Sequence, residues 1–398
     1  MSSCFELPAS LEWLIKPIRT ETFFNEYWEK QPLVVRRAQS EYFAPLLSLD
    51  DVDRVITTLN LTYPNITIKN AEKEVTVGEY TTTSGALDVA AIYQLFNAGS
   101  TIVLAFLDGV LPPLAWLCRG LEGELNFPLQ ANVYLTPARG QGAKHHYDTH
   151  DVFVLQMIGS KRWTMYGTPV ELPLGNQDFD PKIHDRGTPS MEFELEPGDL
   201  AYIPRGVMHD ARSSEEVSLH ITVGVLCYRW ADLLLEFLAE SSLRDPALRR
   251  GLPPGFAREE SARRQAQQDF VSLLERLAKN SDCGPVLSRF GDQWISACPP
   301  LLRGQMDQIE LLNKIRIASV VGTRSGVVFR IEKGVDSMTV HAFARKLIFP
   351  AYVDAALQFA LNHHRFSVRD LQGNLDDNGK LVLVRRLVRE GLLLILTV

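Results

Sequence analysis

The sequence predicts an α+β protein with an antiparallel β-sandwich or jelly roll at its centre, helices on either side and a small α/β unit at the C-terminal end. Three observations carry this. Between about 129 and 227, short apolar runs are separated by Gly, Pro and Asp turns such as Pro197-Gly198-Asp199, which suits two stacked sheets over one parallel sheet. Before and after that stretch, aromatic and leucine residues recur at helical spacing. Near the end, two helical patterns lead through Gly391 into the apolar run Leu392-Leu393-Leu394-Ile395-Leu396.

The length of 398 residues with 45% hydrophobic content allows two or three domains around substantial cores, divided here as 1–228, 229–304 and 305–398. A formal charge of −7 offers no general phosphate attraction and argues against nucleic acid as the partner. It suits a basic protein or peptide. Cys4, Cys118, Cys227, Cys283 and Cys298 are scattered, odd in number and without C-x-x-C spacing, so they read as reduced thiols. There is no signal-peptide pattern at the N-terminus and no apolar run near 18 residues, which predicts a soluble, cytoplasmic protein without membrane contact.

In chain order, 9–30 reads as one helix with Phe23, Phe24, Tyr27 and Trp28 as an aromatic stripe, stopped by Gln31-Pro32 before the strand Leu33-Val34-Val35-Arg36. Such a stripe is more often core than ligand cage. Helices are predicted at 48–60 and 86–97, a buried strand at 101–106, and a helix at 113–124 opened by Pro112-Pro113. Strands then alternate with turns to 227, with a turn-rich insert over 164–191. In the last strand Ser218, His220 and Thr222 share one face, which could look into the barrel. Beyond it, 230–242 and 258–279 read as amphipathic helices around the break Pro253-Pro254-Gly255. Residues 351–362 and 381–388 are predicted helices, with Phe366–Leu371 between them and the strand 392–396 after them.

The chemistry concentrates in His146-Tyr147-Asp148 and a distant His209. Residues i and i+2 of a strand face the same way, so His146 and Asp148 can reach one ion while Tyr147 and His145 point elsewhere. His209 from a neighbouring strand completes two imidazoles and one carboxylate, the facial triad of non-haem Fe(II) oxygenases. H-x-D alone is a weak signal that also fits polar residues at a strand end. Here it runs into the apolar strand Val152–Met157, and a second apolar segment ends at His209, so two strands can deliver three ligands to one barrel mouth.

The motifs Asn132-Val133-Tyr134-Leu135-Thr136-Pro137, His146-Tyr147-Asp148, Gly159-x-Lys161-x-Trp163, Pro197-Gly198-Asp199 and Pro204-Arg205-Gly206-x-x-His209 resemble the cupin/JmjC ribosomal oxygenases. The resemblance extends over nearly the whole chain, with one departure, Lys144-His145, where the family usually carries an apolar residue and a proline. It implies a double-stranded β-helix (the cupin jelly roll), a helical dimerisation segment and a C-terminal winged-helix-like domain. It also implies Fe(II), 2-oxoglutarate as co-substrate and O2, with hydroxylation of an arginine or histidine of a ribosomal protein. Lys161 stands at the family's position for the cation on the distal carboxylate of 2-oxoglutarate. Tyr134 can donate a phenolic hydrogen bond to the same co-substrate, Asn132 lies two residues earlier on the same face, and His220 is a fourth candidate. Without the resemblance, Lys161 reads as an exposed turn lysine.

Three alternatives remain at this point. The same iron chemistry could serve a JmjC lysine demethylase, or a hydroxylase of another peptide or small molecule; no methyl-lysine aromatic cage can be assigned. The chain could instead be a winged-helix regulator with a vestigial barrel, which the complete set of candidate ligands counts against. The winged-helix-like order suggests DNA, yet residues 351–398 hold six Lys/Arg against five Asp/Glu, too little for phosphate attraction. The helices after 228 could pair in a homodimer, as the resemblance implies, or pack on their own barrel.

Overall fold

The computed structural model describes residues 9–279, 281–298 and 300–398; Cys4 lies outside them. The predicted opening helix is broken into α1 (Leu11–Ile15), α2 (Thr20–Thr22) and a wide turn, Phe23–Tyr27. Pro17 is the reason: it has no amide proton and clashes with a helical turn before it, a stop inside the supposed helix. The aromatic stripe divides accordingly. Phe23 is buried against Phe153 and Tyr202, whereas Phe24 is exposed.

Next come β1 (Leu33–Val35), α3 (Leu49–Thr58), β2 (Ile66–Lys69), α4 (Val89–Asn97), β3 (Thr101–Leu104) and α5 (Pro112–Leu125). α3 begins where Ser48 and Asp51 cap each other: the Ser48 hydroxyl accepts from the Asp51 amide at 3.1 Å, and the Asp51 carboxylate accepts from the Ser48 amide at 3.0 Å. α5 opens on Pro112 and ends at Asn126, whose φ of 57° ends the helix in the left-handed region.

The barrel strands are β4 (Leu129–Thr136), β5 (Asp151–Ile158), β6 (Lys161–Met165), β7 (Met191–Leu195), β8 (Leu200–Ile203), β9 (His209–Ser213) and β10 (Ser218–Val225). All pairings are antiparallel. A seven-stranded sheet has the order β1-β8-β5-β10-β4-β3-β2, and a three-stranded sheet, β7-β6-β9, faces it. This is the α+β jelly-roll class. β5 explains why its sequence is a continuous apolar run rather than an alternating one. Val152 and Val154 pack inward with Trp163, Met165, Phe193 and Leu195, while Phe153 and Leu155 pack outward into the core shared with α1, α3 and α5.

Three helices follow: α6 (Trp230–Arg244), α7 (Glu260–Lys279) and α8 (Gly284–Ala297). The last was missed in the sequence reading, although Pro285 stands in its first turn. Its buried side is short, Val286, Trp294 and Ile295, which leaves a weak periodic signal.

The C-terminal stretch has its own core, from Leu312 to Ile395. It contains α9 (Gln305–Leu311), β11 (Val320–Thr323), β12 (Arg330–Lys333), β13 (Ser337–Ala342), β14 (Arg345–Pro350), α10 (Asp354–Asn362), β15 (Phe366–Ser367), α11 (Asp377–Arg389) and β16 (Leu393–Thr397). The predicted helices and last strand are present, with α10 starting three residues later than expected. The four strands from 320 to 350 were unforeseen. β12, β13 and β14 form one sheet, while β11 lies between β15 and β16 in another, so β11 draws its register from residues more than 40 positions away.

Candidate metal centre and the cavity behind it

His146 and Asp148 do not lie in a regular strand, contrary to the sequence reading. They precede β5 in extended chain held by a single bridge, in which the His146 amide donates to the His209 carbonyl at 3.0 Å and the His209 amide donates back at 2.8 Å. The alternation argument still applies, because extended backbone turns successive side chains to opposite sides. Tyr147 is buried on the outer side, and His145 packs edge-on against Phe179 rather than joining the ligands. The Asp148 carbonyl accepts from the Gly206 amide at 3.0 Å. Gly206 has φ +86°, a conformation that favours glycine and brings this loop alongside Asp148.

Nitrogen and oxygen donors of His146, Asp148 and His209 all lie within 4.8 Å of one another. The Asp148 carboxylate is 4.0 Å from His146 Nε2 and 3.8 Å from His209 Nε2. Each ring is oriented by a carbonyl: His146 Nδ1 donates to Lys144 O at 2.8 Å, and His209 Nδ1 donates to Val207 O at 3.0 Å. A carbonyl can only accept, so the proton sits on Nδ1 and each Nε2 keeps its lone pair for a metal. Burial pushes His209 down to about 4, keeping it neutral. Burial alone would raise Asp148, but His146 and His209 outweigh it and hold the carboxyl below its ordinary value. The donor set suits a cation with three further open positions.

A second acidic cluster, Glu29, Asp151 and Cys227, is a different object. The Arg205 guanidinium fills it, 2.6 Å from Asp151 and 2.5 Å from Glu29, and the Tyr202 hydroxyl donates to Asp151 at 3.0 Å. The positive charge is already supplied.

Behind the triad, between the two sheets, is a cavity lined by Tyr134, Lys161, Trp163, His220, Thr222 and the triad itself, with Lys69 and Thr101 also on its wall. Lys161 opens β6 and is 4% exposed, because Gly159, with φ +60°, and Ser160 take the turn before it. The reading of an exposed turn lysine is thereby overturned. Its ammonium donates to Thr136 Oγ1 at 3.2 Å, and burial pulls its pKa down to about 7. Tyr134 and His220 are register partners on β4 and β10 and stack at 4.8 Å with 4° between planes. Burial raises the Tyr134 phenol and keeps His220 neutral.

Asn132 is not brought in. It stands opposite Thr222, does not line the cavity, and its side-chain oxygen accepts from the Phe106 amide at 3.1 Å. Thr101, Trp163 and Lys69 were not singled out by the sequence reading as wall residues, nor was Thr136 as the partner of Lys161. Thr136 and Trp163 lie within motifs already noted, whereas Thr101 and Lys69 belong to strands whose pairing with β4 and β3 only folding reveals.

Residues 116–233 match the family model for the JmjC domain. Over 252 residues the chain is 34% identical to the bifunctional lysine-specific demethylase and histidyl-hydroxylase NO66 of Drosophila mojavensis, covering 61% of this chain and 28% of that protein. Over 265 residues it is 31% identical to ribosomal oxygenase 2 of Mus musculus, covering 63% of this chain and 55% of that one. Residues 116–233 thus form a JmjC domain, and the relatives the chain resembles include ribosomal oxygenases. The chain matches well under two thirds of the length of these curated relatives. Likeness of fold reaches further: the Escherichia coli ribosomal oxygenase YcfD superposes with a TM-score of 0.52 over 95% of this chain and 98% of that one, at 16% identity. A structure of YcfD in complex with cobalt and 2-oxoglutarate superposes equally well, at a TM-score of 0.52.

Proposed function

We propose that this JmjC-domain protein is a member of the ribosomal oxygenases, an Fe(II)- and 2-oxoglutarate-dependent dioxygenase that hydroxylates a protein or peptide side chain, with O2 as oxidant and a ribosomal protein as substrate. The observation that carries the reading is one cavity with a three-ligand donor set at one end and a buried, nearly unpartnered ammonium at the other. Such a lysine is costly unless an anion meets it. His146, Asp148 and His209 would hold the iron. Lys161 would hold the distal carboxylate of 2-oxoglutarate, with Tyr134 and His220 forming the wall beside it. Bound together, iron and 2-oxoglutarate supply the oxidising power for C–H hydroxylation; the chain supplies orientation, a dry pocket and aim.

Histidine or arginine is the target class suggested by the relatives' names. Apart from Asp148, the charged side chains on the cavity wall are Lys69 and Lys161, both cationic, so a cationic target, arginine and methyl-lysine alike, would find no counter-charge there. This favours a neutral histidine as the target. Mass spectrometry of ribosomal proteins from cells with and without the enzyme tests the reading. A ribosomal side chain that loses one oxygen in the deletion supports it; an unchanged ribosomal protein set rejects that substrate class.

The chain is further read as a homodimer built from 229–304, between the catalytic part at 1–228 and a winged-helix-like unit at 305–398. Trp230, Leu234 and Leu235 of α6 and Phe270 and Leu274 of α7 are exposed, an apolar surface suited to a two-fold partner. Light scattering at micromolar concentration is expected to give twice the chain mass, and a monomer would refute the dimer. No helix among the described residues is long and apolar enough to cross a membrane. Cys118, Cys227, Cys283 and Cys298 are free, which supports the cytoplasm as the compartment.

A further inference from the structure

The three candidate ligands sit on two segments that no regular ladder holds along their length: 145–148, before β5, and 204–209, before and at the start of β9. One stretch grips both from the outer side. It is the connection between β6 and β7, residues 166–190, which is almost wholly without helix or strand.

On the first segment the grip is Tyr147. Its side chain points away from the triad and is 3% exposed. The hydroxyl donates to the Gln177 carbonyl at 2.9 Å, and the ring meets Phe179 edge-on at 5.6 Å and His184 at 5.4 Å. Phe179 and His184 stack on each other at 5.7 Å, so the ring enters an aromatic corner already formed by the connection itself. On the second segment the contacts are backbone. The Tyr166 amide donates to Met208 O at 2.7 Å, and the Met208 amide donates to Gly167 O at 3.1 Å. Val170 O approaches Gly206 so closely that an added Cβ would lie 2.1 Å from it.

We propose that residues 166–190 form a clasp that sets the geometry of the metal centre, with Tyr147 as its positioning residue; this rests on the metal-centre reading above. The mechanism follows from extended backbone. His146, Tyr147 and Asp148 share one short run, so a twist about its axis moves the imidazole and the carboxylate together in one sense and the Tyr147 ring in the other. A ring wedged between Phe179 and His184, and tied through its hydroxyl to Gln177, blocks that twist. Because the same connection bonds Met208, it fixes the His209 segment relative to the His146–Asp148 segment. The wedge therefore acts on the spacing of all three ligands without touching the ion.

The test titrates Co(II) alone into the full-length chain, reading affinity and visible absorption. Tyr147→Ala is expected to weaken Co(II) binding by about 10- to 100-fold, the range seen when groups that orient metal ligands are removed. Its absorption bands should shift as the ligand field distorts. Phe179→Ala should move both readouts the same way by less, and Tyr147→Phe, which keeps the ring, should stay within about threefold of the parent. His209→Ala, which removes a ligand, reports what loss of the centre looks like. Should Tyr147→Ala not fold, Phe179→Ala decides, since it opens the corner and leaves the 145–148 segment unaltered. A folded Tyr147→Ala or, in its place, Phe179→Ala with parental affinity and spectrum overturns the clasp: a merely structural contact would lower the melting temperature and leave the Co(II) spectrum of the folded protein alone. If the parent takes up no Co(II) at a His209-dependent site, the metal-centre reading itself fails and the clasp falls with it.

Discussion

The two ends of the cavity are built on opposite principles. At the triad end the side chains are oriented before any ion arrives: each imidazole donates its Nδ1 proton to a carbonyl and leaves Nε2 for a metal, and the pKa of the Asp148 carboxyl stays below its ordinary value. At the Lys161 end the group is under-satisfied. A buried ammonium has one hydroxyl within bonding distance, and its charge is weakened by burial. The first end is oriented in advance for an ion; the second stores an unfavourable burial that an anion relieves. Specificity for a cation thus comes from geometry, and affinity for an anion comes from desolvation already imposed by folding.

The sharpest way to break this comparison is to remove one member of each end. His209→Ala should abolish metal binding and activity while leaving the barrel folded, because β9 keeps its ladder to β6 without the imidazole. Full metal binding by this variant, measured by titration, would remove His209 from the centre. At the other end, Lys161→Ala leaves a bound carboxylate without its charge, a loss of roughly 3–5 kcal/mol. The apparent 2-oxoglutarate constant should rise by about two to three orders of magnitude. Metal affinity should change little, and Lys161→Arg should keep part of the activity, with the charge retained and the reach altered. An unchanged constant would leave the pocket's cation unidentified.

A subtler contrast concerns stability. A lysine whose folded pKa is about 7 against an ordinary 10.5 favours the unfolded chain, which binds the extra proton between those values. This group's contribution therefore makes the ligand-free protein more stable as pH rises from about 7 to 10.5, and adds no slope below 7, where both states are protonated. Lys161→Met should raise the melting temperature at pH 7, by a free energy on the order of a few kcal/mol, and flatten that slope. The same change should destroy co-substrate binding. A variant that is both less stable and unable to bind would mean the lysine is structurally satisfied after all.

The smallest effect is a proton count. Binding a carboxylate at Lys161 restores its charge, so between pH 7 and 10 the complex should take up as much as about one proton. Calorimetry in buffers of different ionisation enthalpy at pH 8 reads this directly. Zero uptake would show that the ammonium is already fully charged in the free protein.

Much of this was legible in the chain itself. Spacing and residue type pointed to His146, Asp148 and His209, because metal-ligand chemistry admits few side chains and an extended chain repeats every two residues. Turn residues located the barrel strands, since Gly and Pro at 159, 197 and 198 have strong local backbone preferences. Local signals failed where a competing local rule was overlooked, as at Pro17, or where burial was slight, as in α8. They failed also where long-range pairing creates the element, as in β11, whose partners lie at 366–367 and 393–397.

What folding alone decided is which polar groups are buried and what faces them. Asn132 and Tyr134 share a strand face by periodicity, yet the turn after β3 brings the Phe106 amide to Asn132, while Tyr134, paired with Val103 of β3, reaches the cavity. Lys161 is a turn lysine by local sequence and a buried cation by tertiary structure, since only the meeting of β4, β6 and β10 removes its water. The physical reason is one of range. Backbone propensity and donor chemistry act over a few residues and can be read in order along the chain, whereas desolvation depends on whatever the fold brings from afar.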